Sequence, residues 1–177
     1  IIYAKEIFAG KILTFAITTN GTLLNSEIIE FLAQEDVHLT ISLDGPKSIH
    51  DKNRVFADGR GSFDTVIRNL ERIRQRFPEY ARKTAFSMVM DPANDYDCIN
   101  EVVTTFDDMN DCLFLASMVE LDGNTPSIRS EAYSWKWSYQ DFLALLSIFG
   151  RYPTSKVSAL NRRSIGISAG NIREFQQ

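Results

Sequence analysis

The sequence predicts an α/β protein in which parallel strands form a barrel or part-barrel with helices on its outer side only. The first observation is a repeated unit, in which an apolar run ends in a turn signal and a helix-like segment leads to the next apolar run. Two such runs end near Thr19 and Leu43. The second observation is that these runs have one bulky face and one small polar face. Four strand–helix units cannot close a barrel alone, so we expect an arc.

The two faces are clearest in the first two predicted strands, 12–19 and 37–43. Successive residues of a strand point to opposite sides of the sheet. The bulky side consists of Leu13, Phe15, Ile17, Val37, Leu39, Ile41 and Leu43. The polar side consists of Thr14, Ala16, Thr18, Asn20, His38, Thr40, Ser42 and Asp44. The bulky side is expected to pack under helices and the polar side to line a cavity for a polar ligand. The alternatives are a sheet with one hydrated face and a doubly wound sheet.

Capping signals and helical spacing predict the other elements. Helices are expected to start after Asn25, Ser62 and Asp95, whose side chains can accept from free backbone N–H groups. Gly10 and Pro78 are expected to end helices. Further strands are expected over 84–90 and 113–119, and a long polar connection over 45–61. A late helix is expected to carry apolar residues on one face, namely Phe142, Leu145, Leu146 and Phe149.

Composition restricts the classes of function. The 177 residues are 44% hydrophobic and 24% charged, with a formal net charge of -4. This acidic balance argues against nucleic acid, and the arginines of 63–77 are read as a solvated helix face. No apolar run approaches the roughly 18 residues of a membrane helix. The two cysteines, Cys98 and Cys112, are read as reduced core thiols of a cytoplasmic protein rather than metal ligands.

Polar residues at the predicted strand ends are the first candidates for chemistry. They are Asn20, Asp44, Asp91, Glu120 and Asp122. Acidic residues at such a rim can bind Mg²⁺ or act as an acid–base pair, but Asn and Asp also form turns and caps. In the following loop, the planar guanidinium of Arg54 suits a carboxylate. His50 can titrate near neutral pH or simply bond to the backbone.

Two further features have open interpretations. The segment 59–62 precedes a helix and can bind an anion or only allow a turn. The aromatic run at Tyr133, Trp135, Trp137 and Tyr139 alternates across one face if it is extended. It then suits contact with a peptide or a ring, or it ties a long loop to the core.

Four sequence blocks together resemble radical SAM enzymes. They are Ile-Thr-Thr-Asn-Gly-Thr-Leu-Leu at 17–24, Ile-Ser-Leu-Asp-Gly-Pro-Lys at 41–47, Ile-His-Asp-Lys-Asn-Arg at 49–54 and Gly-Ser-Phe-Asp at 61–64. Their order and spacing are most similar to the SPASM-type branch, which contains the anaerobic sulfatase-maturating enzymes and maturases of ribosomal peptides. The resemblance is specific from about residue 12 to 75 and diffuse from 82 to 122.

The resemblance implies a partial (β/α)6 TIM-like barrel, of which this chain supplies strands three to six. It implies a [4Fe–4S] cluster and S-adenosylmethionine, whose cleavage gives a 5′-deoxyadenosyl radical that acts on a peptide or protein. Ser42 matches a serine that contacts S-adenosylmethionine, and Arg54 an arginine that pairs with its carboxylate. Leu121 matches an apolar contact for adenine. Asn20 lies in the turn of the family pattern, and Thr18 and Asp44 belong to the same polar face.

Departures from the family pattern predict that this is part of a longer enzyme. The CxxxCxxC loop, the Gly-Gly-Glu-Pro segment and the C-terminal cysteine-rich region do not occur in the sequence. We expect 1–152 to be the central barrel part and 153–177 to be a linker or tail. Alone, the chain is expected to bind no cluster, to be inactive and to self-associate through exposed sheet edges. The alternatives are a non-catalytic peptide-binding relative and a metal-dependent barrel hydrolase.

Overall fold

The computed structural model describes residues 1–91, 93–94, 96–105, 112–119, 131–158 and 160–161. The helices are α1 (Ile2–Ile7), α2 (Ser26–Gln34), α3 (Lys47–Asn53), α4 (Phe63–Arg76), α5 (Pro78–Lys83), α6 (Tyr96–Thr105) and α7 (Glu131–Ile148). The strands are β1 (Ala16–Thr19), β2 (His38–Ser42), β3 (Ala85–Met90) and β4 (Phe114–Met118). Among the residues described, no helix is both long and apolar enough to cross a membrane.

The four strands form one sheet in the order β1-β2-β3-β4, and each pairs with its neighbours in parallel. A helix lies in each of the connections between successive strands, so the α/β prediction is confirmed. The first strand is shorter than predicted, since only Ala16–Thr19 of 12–19 is paired. Within the part described, β1 and β4 each have one neighbour. The expected self-association through these edges stays a prediction.

The core lies on the side of the sheet that carries the bulky residues, as predicted. Leu39, Ile41, Phe86, Met88 and Phe114 point to this side and are at most 2% exposed. Residues of α2, α4 and α6 pack against them, including Ile29, Leu32, Val66, Leu70, Ile73 and Ile99. Parallel strands require long crossover connections, and the amphipathic helices in these connections cover this face. At the edge strand the prediction is wrong for Ile17, which is 42% exposed.

The other side of the sheet is polar across all four strands. The strand register puts Thr18 beside Thr40, and Ser42 beside Ser87. Ser117 lies on the same face of β4, because it pairs with Val89, two residues after Ser87. These side chains are half-buried or exposed, whereas the residues of β2 and β3 on the opposite face are buried. The sequence therefore specified which side of the sheet faces the helices and which side is polar.

Helix capping confirms one prediction and corrects another. The Asn25 side chain accepts from the Ile28 N–H at 2.9 Å, as predicted for the start of α2. Ser62 precedes α4 but its hydroxyl does not cap that helix. Asp51 does so instead, because its Oδ1 accepts from the Phe63 N–H at 2.9 Å. The predicted cap Asp95 lies outside the described residues.

The connection over 45–61 contains less loop than the sequence predicted, because Lys47–Asn53 is helical. Gly45 has a φ of 115°, which permits the sharp exit from β2 into this helix. A second unpredicted helix, α5, begins at Pro78. Pro78 ends α4 as expected and also occupies the first position of α5, where a proline needs no N–H partner.

The aromatic run lies in helix α7, so its interpretation as extended chain is wrong. At helical spacing the run divides between two sides. Tyr133 is 2% exposed and stacks on Trp137, whereas Trp135 and Tyr139 stack on each other and are 68% and 46% exposed. The apolar face predicted later in this helix is largely exposed, since Phe142, Leu145 and Phe149 are 51%, 44% and 59% exposed. Leu143 and Ala144 are buried instead.

Candidate functional site

The polar face leads to the carboxyl edge of the sheet, where β1, β2 and β3 end close to Asn20, Asp44 and Asp91. Loops that leave this edge form the ligand sites of parallel α/β proteins. Two of the predicted rim residues, Glu120 and Asp122, lie outside the described residues, as does Leu121. The described part of the site is thus built from the ends of β1 to β3 and from the segment between β2 and α4.

A two-point ion pair dominates this edge. Arg54 Nε donates to Asp44 Oδ2 at 2.5 Å, and its Nη2 donates to Asp44 Oδ1 at 3.1 Å. Asp44 is 7% exposed, and the Arg54 side chain is 27% exposed. Charge-assisted bonds of this forked geometry hold a guanidinium in one orientation. The fork of Arg54 was predicted from the sequence, but its carboxylate partner Asp44 in the same chain was not.

Asp44 is held from two further directions. Its Oδ1 also accepts from the Val89 N–H at 2.9 Å, which ties it to β3. Its own backbone N–H donates to Nδ1 of His50 at 3.3 Å. Of the two interpretations of His50, the one in which it bonds to the backbone is confirmed. Burial is the largest influence on His50 and lowers the pKa of its imidazole below the ordinary value, so the ring is neutral at pH 7.

The predicted site residues on the strands share one face. Thr18 and Ser42 lie on the polar side, with Thr18 beside Thr40 and Ser42 two residues further along β2. Asp44 continues the same alternation, and its ion pair places the guanidinium of Arg54 beside it. The structure therefore brings Ser42, Asp44 and Arg54 to one end of β2, with Thr18 on the neighbouring strand.

Asn20 forms the turn that leaves β1. Its Oδ1 accepts from the Thr22 N–H at 3.1 Å and from the Thr22 hydroxyl at 2.9 Å. The residue that holds this turn in place, Asn69, was not predicted from the sequence. Asn69 of α4 is buried, and its Nδ2 donates to the carbonyls of Gly21 at 2.8 Å and Thr22 at 3.3 Å. A polar residue within an apolar helical stripe was the available signal.

Gly61 permits the cap that joins α3 to α4. A Cβ at this position would lie 2.1 Å from the Asp51 carboxylate, far inside contact distance. We expect Gly61→Ala to displace Asp51 and expose the Phe63 N–H, which lowers the free energy of unfolding by about 1–2 kcal/mol. Chemical denaturation measures this change. Gly59→Ala is the control for loss of a glycine: nothing lies near its Cβ, although its φ of 83° adds strain. Equal stability of Gly61→Ala and the unsubstituted chain would contradict the capping role.

Neither a metal centre nor a cluster site is formed by the described side chains. Within the part of the chain that the structure describes, no three His, Cys, Asp or Glu side chains converge to hold a metal ion. Cys98 and Cys112 are not joined by a disulfide, and both pack partly buried against the core, in agreement with the prediction of core cysteines. Cys112 precedes the amino end of β4, at the opposite edge of the sheet from Asp44.

Comparison with known families decides between the possible barrels. The sequence profile of the radical SAM superfamily matches residues 1–105, more than half of the 177-residue chain. The chain belongs to the radical SAM superfamily. The resemblance seen in the four sequence blocks is thereby confirmed, and β1 to β3 and their polar face lie within the matched region.

The radical SAM relatives include anaerobic sulfatase-maturating enzymes. The chain is 38% identical over 66 residues to a cysteine-type anaerobic sulfatase-maturating enzyme of Clostridium novyi, an alignment that covers 37% of this chain and 18% of the relative. It is 29% identical over 103 residues to a serine-type enzyme of Bacteroides thetaiotaomicron, which covers 55% of this chain and 24% of the relative. The chain thus spans about a quarter or less of these relatives.

A solved radical SAM structure shows the same fold. It is native anSMEcpe with bound AdoMet and Kp18Cys peptide, and it superposes with a TM-score of 0.62 at 20% identity. The superposition covers 84% of this chain and 42% of that one. This agreement confirms the predicted part-barrel with its helices outside. The parallel sheet of this chain corresponds to part of a TIM-like barrel.

Proposed function

We propose that this chain is the central barrel part of a radical SAM maturase that modifies a peptide or protein side chain. The observation that carries the proposal is the forked Asp44–Arg54 pair at the carboxyl edge, in a chain whose first 105 residues match the superfamily. The relatives are sulfatase-maturating enzymes, and the solved neighbour holds AdoMet and a peptide. Together these features support a site for S-adenosylmethionine with a peptide above it.

The described residues fit the amino acid and ribose parts of S-adenosylmethionine. The ligand has a carboxylate and two ribose hydroxyls, and the polar face offers hydroxyls at Thr18, Thr40, Ser42 and Ser87. Ser42 is proposed to contact the ligand, with Thr18 and Asn20 lining the same edge. Leu121, which lies outside the described residues, is proposed as the apolar contact for adenine. Bound S-adenosylmethionine supplies, on reductive cleavage, the 5′-deoxyadenosyl radical that abstracts hydrogen from the substrate.

Arg54 is proposed to bind the ligand carboxylate with its outer edge. A guanidinium has five N–H donors, and Asp44 takes those on Nε and one side of Nη2. The edge formed by Nη1 and Nη2 is the one that suits a second carboxylate. In this arrangement Asp44 fixes the plane of the guanidinium and prevents it from turning toward other anions. The orientation of the ligand would then be set by β2 and β3, to which Asp44 is bonded.

The [4Fe–4S] cluster does not fit the cysteines of this chain. Two thiols are too few for such a cluster, and Cys98 and Cys112 are the only cysteines in the sequence. We therefore propose that a CxxxCxxC loop outside this sequence holds the cluster in the parent enzyme. Residues 1–152 would be its central barrel, and 153–177 the linker to its remaining part.

The test of the proposal is to express the gene segment with its flanking coding sequence and to purify the longer protein without oxygen. We expect a brown protein that contains iron and converts S-adenosylmethionine to 5′-deoxyadenosine when reduced. A colourless, iron-free protein would contradict the proposal and favour a non-catalytic peptide-binding relative. Stabilisation of the protein by divalent metal alone, without iron, would instead favour the hydrolase alternative.

Arg54→Lys in this longer protein is expected to weaken S-adenosylmethionine binding about 10- to 100-fold, because lysine keeps the charge but loses the fork. Equilibrium binding of S-adenosylmethionine measures the effect. Arg60→Lys is the matched control, since Arg60 pairs with Asp58 on an exposed turn and its side chain is 76% exposed. If both variants bind as tightly as the unsubstituted enzyme, Arg54 does not hold the carboxylate.

A further inference from the structure

A closed ring of hydrogen bonds links both partners of the ion pair through His50. His50 Nδ1 accepts from the Asp44 backbone N–H, and its Nε2 lies 3.0 Å from the Ser62 hydroxyl oxygen. Ser62 Oγ donates to the Arg54 carbonyl at 2.8 Å. Arg54 returns to Asp44 through its guanidinium. Neither the radical SAM resemblance nor the strand pattern pointed to this ring.

The donors and acceptors of this ring are compatible with one arrangement of protons. The Asp44 N–H can only donate, so Nδ1 of His50 must carry a lone pair. A neutral imidazole then has its proton on Nε2, which donates to Ser62 Oγ. The Ser62 hydroxyl proton remains for the Arg54 carbonyl. Every group in the ring has the role that its neighbour requires.

The burial of His50 shields these bonds from water. The side chain is 0% exposed, and its ring meets Phe63 edge-on with 5.7 Å between centroids. Water does not compete for either ring nitrogen at this depth. The backbone carbonyl of His50 also accepts from the Arg54 N–H at 3.0 Å. One buried residue therefore contacts Asp44 on one side and, directly and through Ser62, the main chain of Arg54 on the other.

We propose that His50 is a positioning residue, which, with Ser62, holds Arg54 against Asp44 and so sets the guanidinium edge presented to the ligand carboxylate. The role in ligand binding rests on the proposed function. The ring itself rests only on the contacts of this chain. His50 does not touch the ligand in this proposal, because both of its ring nitrogens are occupied by Asp44 and Ser62.

Protonation of His50 would open the ring, since a proton on Nδ1 would face the Asp44 N–H. The charged groups around the ring are Asp44, Asp51 and Arg54. Burial outweighs the two carboxylates and lowers the pKa of His50. The unfolded chain therefore binds a proton below about pH 6.5 that the folded chain does not. The stability that the neutral imidazole of His50 confers is complete above about pH 6.5. It falls as the pH drops toward the pKa of His50 in the folded chain.

The test uses nitrogen-resolved NMR of the chain, which has only two histidines. The Nε–H of Arg54 reports on the ion pair through its hydrogen exchange rate, and the imidazole nitrogens report on His50. We expect His50→Asn, which keeps an acceptor near Nδ1 but loses the link to Ser62, to speed Arg54 Nε–H exchange about tenfold. His50→Gln keeps a donor near Nε2 and should restore much of the protection. His38→Gln, at the far end of β2, is the matched control and should leave exchange unchanged.

The outcomes separate a positioning role from a merely structural one. If His50 only fills space, both His50 variants lower stability and Arg54 exchange does not change, which would overturn the proposal. If the variants do not fold, the unsubstituted chain still provides a test, because Arg54 exchange must follow the titration of the His50 ring as the pH falls. Exchange that ignores this titration would also overturn it. The hydrogen-bonded ring can behave as expected while the longer protein binds no S-adenosylmethionine. That result would refute the proposed function but not the positioning of Arg54 by His50.

Discussion

Asp44→Ala is expected to lower the free energy of unfolding by about 2–4 kcal/mol, because it leaves a partly buried guanidinium without its carboxylate. Three bonds to the carboxylate are lost at once, two from Arg54 and one from the Val89 N–H. The Val89 N–H is left without this acceptor, which adds to the cost. Denaturation by urea at pH 7, followed by circular dichroism, measures the difference between the variant and the unsubstituted chain.

Asp58→Ala is the matched control for this substitution. Asp58 also pairs with an arginine, Arg60, but both side chains are more than half exposed. Exposed pairs contribute little because water screens the charges. We therefore expect the denaturation midpoint of Asp58→Ala to stay close to that of the unsubstituted chain. If Asp44→Ala is as stable as Asp58→Ala, the ion pair of Asp44 does not stabilise the site.

Phe86→Ala is expected to have the larger effect, a loss of about 3–5 kcal/mol. Phe86 is the second residue of β3, is 2% exposed and stacks on Phe114 of β4 with 5.2 Å between ring centroids. Alanine would leave a cavity between the sheet and its helices. The ring of Phe114 would lose its aromatic partner at the same time. Chemical denaturation of the purified chain provides the measurement.

Val89→Ala tests the same strand from its other side. Val89 is 38% exposed, on the face that also carries Ser87. Its truncation removes little buried surface, so we expect a loss within about 1 kcal/mol. The ratio of the losses in free energy of unfolding for Phe86→Ala and Val89→Ala measures how differently the two faces of the sheet are buried. Similar losses for both would mean that the polar face is covered as completely as the bulky one.

Much of the fold could be predicted because strand periodicity is a local property. Alternation in 37–43 predicted that Leu39 and Ile41 are buried and that Thr40 and Ser42 are not. The prediction failed at Ile17, because β1 has one strand neighbour among the described residues and burial depends on neighbours. It failed for the aromatic run as well. Trp and Tyr are favoured in strands. Here Tyr133 lies in a helix instead, where it packs against Tyr96 and Trp137.

The sequence predicts residue types for the candidate site, but it does not predict the hydrogen bonds that join them. Arg54 was recognised from the geometry of a guanidinium, and Ser42 from its face of β2. The pairing of Arg54 with Asp44 joins residues ten positions apart through a helix that the sequence argument read as loop. The exchange of caps, in which Asp51 replaces Ser62 at α4, has the same origin. Once α3 folds, it brings Asp51 to the start of α4, where Asp51 caps the helix. The Ser62 hydroxyl instead forms hydrogen bonds with the Arg54 carbonyl and the His50 ring.

The sequence by itself determined the alternation of strands and helices, the side of the sheet that is buried, and the superfamily to which the chain belongs. These follow from local periodicity and from short motifs, which act over a few residues along the chain. Only the tertiary structure decided which polar groups are partners. A hydrogen bond depends on distance and direction in space, and Asp44, His50, Arg54 and Ser62 meet only after α3 has folded back against the end of β2.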